Sequence, residues 1–132
     1  MVNTVKIPSK IKYIKQVSTE ILNSLSPFGI DENRLFDIRL CTEEAVRNAV
    51  VHGNRSNKKL SVKVRYWTEN DRLIIEVEDA GSGFNPGDLP DPTEDSNMMK
   101  NSGRGVYLIM KLMDNVNFSA KGNMIRMEKK LK

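Results

Sequence analysis

The hydrophobic rhythm of the chain changes more than once. Residues 2–8 alternate, with Val2, Thr4 and Lys6 on one side and Asn3, Val5 and Ile7 on the other, which predicts a first strand ending at Pro8. Apolar positions then recur every three or four residues. Ile11, Ile14, Val17, Ile21 and Leu25 form one stripe of a helix for which Ser9 is the candidate N-cap. "SPFG" at 26–29 breaks it. Asp31 can cap a second, long helix from 32 to about 52, with Leu35, Ile38, Thr42, Ala45 and Ala49 on its core stripe and Gly53–Asn54 as its stop. From residue 60 the period becomes two: "LSVKVRYW" (60–67) and "RLIIEVED" (72–79) flank the turn "TEND" and should pair as a hairpin.

Residues 80–103 break the rhythm again. They hold Gly81, Gly83, Gly87 and Gly103 with Pro86, Pro90 and Pro92, and few apolar side chains. A connection of that length inside a compact domain points to function. A helix over about 104–113 (Val106, Leu108, Ile109, Leu112, Met113) and strands over about 115–120 and 123–131 complete the pattern. The order predicts one domain over 1–132, an α+β two-layer sandwich with a mixed, mostly antiparallel sheet and helices on one face. The other sheet face carries Lys63, Arg65, Glu76 and Glu78 and is expected to be solvated or an interface.

Composition narrows the function classes. With 39% apolar and 29% charged residues the chain has the balance of a soluble globular protein. Its net charge of +4 comes from scattered Lys and Arg without a basic tract, so direct nucleic-acid binding is not expected. Cys41, the only cysteine, falls on the apolar side of the long helix and reads as a small buried hydrophobe. No apolar run reaches the roughly 18 residues of a membrane span. Lys6, Lys10, Lys12 and Lys15 interrupt every apolar stretch near the start, so no signal peptide is expected and the default location is cytoplasmic.

Against this background the long helix is unusual. Glu44, Asn48 and His52 recur every four residues in "EEAVRNAVVHGN", a polar row on a helix whose other side is core. An amide oxygen suits Mg2+, which keeps waters and takes further oxygens from phosphates, and a neighbouring carboxylate can activate a hydroxyl. The same row also suits a merely solvated face. His52, the only histidine, lacks the partners of a zinc site and is expected to hydrogen-bond nearby. In "EDAGSGF" Asp79 ends a strand, where a carboxylate can accept from an exocyclic amine such as that of adenine, while Gly81 and Gly83 allow close approach to the backbone. In "KNSGRGVYLI" Gly103 and Gly105 lead into a helix, a ready anion site, with Lys100 and Arg104 in reach of a terminal phosphate.

Together, the three segments resemble the GHKL ATPase superfamily: "EEAVRNAVVHGN" its N-box, "DAGSGF" its G1 box and "GRG" its G2 box. Within it, the short chain and "TEEAVRNAVVHG" most resemble bacterial anti-sigma factor serine kinases of the RsbW/SpoIIAB type, over roughly residues 5–131. The resemblance implies the Bergerat (histidine-kinase-like ATPase) fold, ATP and Mg2+ as cofactors, and a homodimer. It implies Glu44 as the general base, Asn48 as the Mg2+ ligand and Asp79 as the adenine-binding carboxylate. It places the nucleotide against His52, Gly81, Gly83, Lys100, Ser102, Gly103, Arg104, Gly105 and Val106, under a lid of about 84–102. The implied function is an ATP-binding anti-sigma factor that phosphorylates a serine on a STAS-domain anti-anti-sigma partner and so regulates a sigma factor. The alternative is a nucleotide-dependent partner-binding module without kinase turnover; a free-standing histidine-kinase catalytic domain fits less well, because those chains usually have a longer lead-in and lid. Two positions depart from the family. Asn123–Met124 stand where Thr-Thr is frequent in the last hairpin, and Asn101 stands where a basic residue often precedes Ser-Gly.

Overall fold

A two-residue turn organises the centre of the sheet. Asn70 and Asp71 both adopt the left-handed conformation, with φ of 52° and 60°, and join β2 (Ser61–Glu69) to β3 (Arg72–Glu78). Two successive positive φ values give the twist that an antiparallel hairpin needs, and Asn and Asp tolerate them better than most residues. The computed structural model describes residues 1–81 and the backbone from residue 101 onward, with side chains from residue 105.

Around this hairpin lie β1 (Asn3–Pro8), β4 (Asn115–Phe118) and β5 (Met124–Lys130), in the spatial order β1-β2-β3-β5-β4. Among the described residues all four pairings are antiparallel, where a mixed sheet was expected. The helices are α1 (Ile14–Ser24), α2 (Glu32–Asn48) and α3 (Asn101–Leu112), with α2 packed between the other two. Their apolar stripes meet the inner sheet face in one core. Val17, Ile21, Ile38, Val46 and Ile109 come from the helices; Val62, Val64, Leu73, Ile75 and Met127 come from the strands, and all are fully buried. The two-layer α+β arrangement follows from the alternation in the strands and the three-to-four spacing in the helices.

The local differences from the sequence reading have physical causes. Asp31 caps α2 as expected, accepting from the Arg34 N–H at 3.2 Å. Ser9 is no cap. Its hydroxyl donates to the Leu60 carbonyl at 2.7 Å, and α1 begins only at Ile14 after a 3-10 turn over Ile11–Tyr13. α2 does not run to residue 52: from Ala49 to Gly53 the backbone widens into a π-turn, closed by the Asn54 N–H on the Ala49 carbonyl at 2.8 Å. α3 begins at Asn101, three residues before the expected start, so the "GRG" segment lies inside its first turns.

The outer sheet face carries an ion-pair ladder. Arg65 bonds Glu76 at 2.9 Å and Glu78 at 3.2 Å, and Arg126 reaches Glu76 at 3.6 Å while lying 5.5 Å from the centre of the Trp67 ring. Ile74 is fully buried on this side, with Trp67 and Glu128 as its cross-strand neighbours, so the face is not uniformly solvated.

Candidate functional site

The site is built where the end of α2, the end of β3 and the start of α3 come together. Glu44 and Asn48 are one turn apart on α2 and half-buried. Their neighbour is Gly105 of α3. A methyl group at Gly105 would lie 2.8 Å from Glu44 Oε2 and 3.2 Å from Asn48 Nδ2, so any side chain here would push the Glu44 carboxylate out of its present place. The contact brings the polar row of one segment against the glycine-rich backbone of another, 57 positions further on for Asn48 and Gly105. The first turn of α3 carries backbone N–H groups without helical partners, which suit an anion beside the same carboxylate and amide.

Glu44 is oriented from its other side. Arg47 Nη1 donates to Glu44 Oε1 at 2.7 Å, which leaves Oε2 as the oxygen facing Gly105. Among the described residues no cluster of three or more His, Cys, Asp or Glu could hold a metal. The Asn48 amide oxygen beside Gly105 is of the type that fits Mg2+ when phosphate oxygens and waters complete its shell.

Asp79 forms the second part. It follows β3 directly, and its Oδ1 accepts from the Gly81 N–H at 2.8 Å. Its carboxylate lies against Gly53, where any added side chain would collide with it; Gly81 in turn abuts the Gly53 carbonyl. Burial raises the Asp79 pKa, with Glu78 acting in the same direction and the Gly81 N–H and Lys121 opposing it. A half-buried carboxylate with one committed oxygen is a suitable acceptor for an exocyclic amine.

Two asparagines hold this corner. Asn54, 2% exposed, donates to Ser9 Oγ at 2.8 Å and to the Ser61 carbonyl at 3.0 Å, and accepts from the Ala80 N–H at 2.8 Å. Asn123 donates to the Asp79 carbonyl at 3.1 Å, and its own carbonyl accepts from the Asp79 N–H at 2.9 Å. The sequence reading treated Asn54 only as a helix stop and Asn123 only as a departure from a family pattern. The trailing "HGN" was the available signal for Gly53 and Asn54. Just beyond, Arg55 and Ser56 adopt φ of 51° and 56°, strain that such a densely bonded corner can hold, with the Ser56 N–H on the Val50 carbonyl at 2.7 Å.

The remaining expected site residues divide as follows. Glu44, Asn48 and Gly105 are brought together, as are Asp79 and Gly81. His52 lies in the π-turn and is exposed; the smaller rotation per residue there takes it off the four-residue row of Glu44 and Asn48. Val106 is 6% exposed, so contact with a ligand would fall to its backbone. Ser102, Gly103 and Arg104 occupy the first turn of α3, their side chains outside the description. Gly83, Lys100 and the expected lid at 84–102 up to residue 100 lie outside the described residues. A surface groove of about 300 Å3 lined by Leu22, Glu32, Leu35, Phe36 and Arg39 sits at the opposite end of α2 and includes none of these residues.

Comparison with known proteins gives the same assignment for the chain. The Serine-protein kinase RsbW of Listeria monocytogenes serovar 1/2a is 29% identical over 122 residues, covering 86% of this chain and 76% of that protein. The protein of the same name from Bacillus velezensis is 31% identical over 117 residues, covering 84% and 73%. A solved structure of the RsbU and RsbW domains of Rv1364c from Mycobacterium tuberculosis superposes on 99% of this chain with a TM-score of 0.68 and 18% identity. This chain spans 32% of that longer one, and the likeness is one of fold. The family model described as Histidine kinase-like ATPase domain matches residues 7–129, nearly the whole chain, and the protein belongs to that family.

Proposed function

We propose that this protein is an ATP-dependent serine-protein kinase of the RsbW type, acting as an anti-sigma factor and phosphorylating a serine on a STAS-domain antagonist. The observation that carries the reading is the close packing of Gly105 against Glu44 and Asn48, which puts a candidate base and a candidate Mg2+ ligand beside the first turn of α3. Asp79, packed against Gly53 and bonded to the Gly81 N–H, receives the adenine amine. Asn48, with phosphate oxygens and waters, would hold Mg2+, which would neutralise phosphate charge. Glu44 Oε2 takes the proton of the acceptor serine as its oxygen bonds to the γ-phosphorus and the bond to ADP breaks. Positioning and charge neutralisation are most of what phosphoryl transfer asks of a protein. The protein acts as a homodimer in the cytoplasm and regulates its sigma factor by partner choice; no helix among the described residues is long and apolar enough to cross a membrane.

The test is transfer of label from γ-labelled ATP to candidate STAS-domain proteins, with wild type, Glu44→Ala and Asn48→Ala. The reading expects label on a partner serine with wild type, none with Glu44→Ala despite intact ATP binding, and loss of Mg2+-dependent binding with Asn48→Ala. ATP binding without transfer to any STAS protein would favour the partner-binding module instead. An unchanged rate in Glu44→Ala would show that the base is another residue.

A further inference from the structure

Asn123 makes a reciprocal contact that the adenine-binding role of Asp79 does not by itself require. β3 ends at Glu78, whose ladder partner is Met124, so Asp79 lies one residue beyond the last pair of the β3–β5 ladder. There the ladder is continued by other means. The Asp79 N–H donates to the Asn123 carbonyl at 2.9 Å, and the Asn123 side-chain Nδ2 donates back to the Asp79 carbonyl at 3.1 Å. The orientation of the amide is set from within the β4–β5 turn: the Ser119 hydroxyl donates to Asn123 Oδ1 at 3.2 Å, which directs the NH2 group towards Asp79. From the opposite side, Asn54 Oδ1 holds the next N–H, that of Ala80, at 2.8 Å. The backbone of Asp79 is thus bonded at both its N–H and its carbonyl, and the Ala80 and Gly81 N–H groups are bonded as well.

We propose that Asn123 is a positioning residue for nucleobase selection: with its amide oriented by Ser119, it fixes the Asp79 backbone so that the carboxylate meets the base in one orientation. This rests on the reading that Asp79 receives the nucleobase. An acceptor that must meet an exocyclic amine discriminates by direction as well as distance, since hydrogen bonds weaken steeply away from linearity. Inosine triphosphate carries a carbonyl oxygen where ATP carries the amine, so a fixed carboxylate should reject it and a loosened one should reject it less. Asn123 itself need not touch the base. It acts through Asp79, and the effect of removing it should appear in affinity and in selectivity between the two nucleotides.

The experiment is calorimetric titration of wild type, Asn123→Ala and Ser119→Ala with ATP and with inosine triphosphate in the presence of Mg2+, alongside urea unfolding. Asn123→Ala is expected to bind ATP about fivefold more weakly and to lose most of the preference for ATP, because a typical net hydrogen bond of about 1 kcal/mol corresponds to roughly that factor. Ser119→Ala removes only the group that orients the amide, and should shift both readouts in the same direction by less. If Asn123→Ala unfolds, Ser119→Ala carries the test alone. A folded variant that binds more weakly but keeps the full preference for ATP would overturn the proposal, as would one that leaves both unchanged. Wild type that binds neither nucleotide, or both equally, would refute the underlying reading of Asp79, a result distinct from failure of the Asn123 assignment.

Discussion

Gly105→Ala should separate stability from activity in this protein. The added methyl would sit 2.8 Å from Glu44 Oε2 and 3.2 Å from Asn48 Nδ2. An ordinary carbon–oxygen contact is about 3.4 Å, so the carboxylate must retreat by roughly 0.6 Å. It can do so, because Glu44 is half-buried and, among the described residues, its other oxygen is bonded to the half-exposed end of Arg47. Turning the side chain out of its rotamer costs about 0.5–1.5 kcal/mol. In the opposite direction, Gly105 lies inside α3 without a positive φ, so alanine gains about 0.5–1 kcal/mol of helix propensity. The two effects nearly cancel. Urea unfolding should place the variant within about 1 kcal/mol of wild type. Activity has no such compensation. A displacement on the order of 1 Å in a catalytic group can cost about 10²-fold in rate, so label transfer from ATP to a STAS-domain substrate should fall by one to two orders of magnitude. A folded variant with wild-type transfer would show that Glu44 does no work near Gly105. Destabilisation beyond about 3 kcal/mol would show that the two helices cannot relax, and that the packing argument is wrong.

Glu44→Gln keeps the shape and removes the proposed base; single-turnover transfer should fall by about 10²–10⁴-fold while calorimetric ATP affinity stays within a factor of a few. Asp79→Asn should abolish measurable ATP binding yet stabilise the fold near neutral pH. Burial raises the Asp79 pKa, so the folded state favours the protonated acid, and wild type loses stability as pH climbs through and above the ordinary value of 3.8; urea midpoints at several pH values should show the advantage of the variant disappear on the acid side. Asn54→Ala removes three side-chain hydrogen bonds from a buried corner and leaves the Ala80 N–H without its acceptor, a loss of about 3 kcal/mol readable in chemical denaturation. Cys41 is fully buried, and burial followed by the Asp37 carboxylate pushes its thiol up to about 12, so a thiol reagent at pH 8 should modify it only at the rate of unfolding.

How much of this was visible beforehand depends on whether the information is periodic or relational. The period-two runs of 60–67 and 72–79 gave their strands to within two residues, and of the stripe Ile11, Ile14, Val17, Ile21 and Leu25 all but Ile11, which lies exposed in the 3-10 turn before α1, are in the core. Asp31 as a cap is equally local, since an N-cap bonds an N–H three residues away. Ser9 shows the limit. Its residue type favours a cap, but a partner 51 positions away, the Leu60 carbonyl, claims the hydroxyl instead. The π-turn has the same origin: "AVVH" reads as α-helix up to the Gly53 stop, yet the Asn54 N–H closes on Ala49 and the Asn54 side chain bonds Ser9, Ser61 and Ala80, so tertiary bonds set where α2 ends. Chemistry follows the same division. Glu44, Asn48 and Asp79 announce themselves by type and spacing, because a carboxylate or an amide has its capability wherever it stands. Gly105 announces itself as part of a glycine-rich helix start but not as the room left for Glu44 and Asn48, while Gly53 reads only as a helix stop and Asn123 only as a hairpin position; what each contributes is room for, or a hold on, a residue many positions away. Such contacts become legible only when the backbone has brought the partners together, and mutations at these positions therefore test the site more sharply than deletion of its obvious groups.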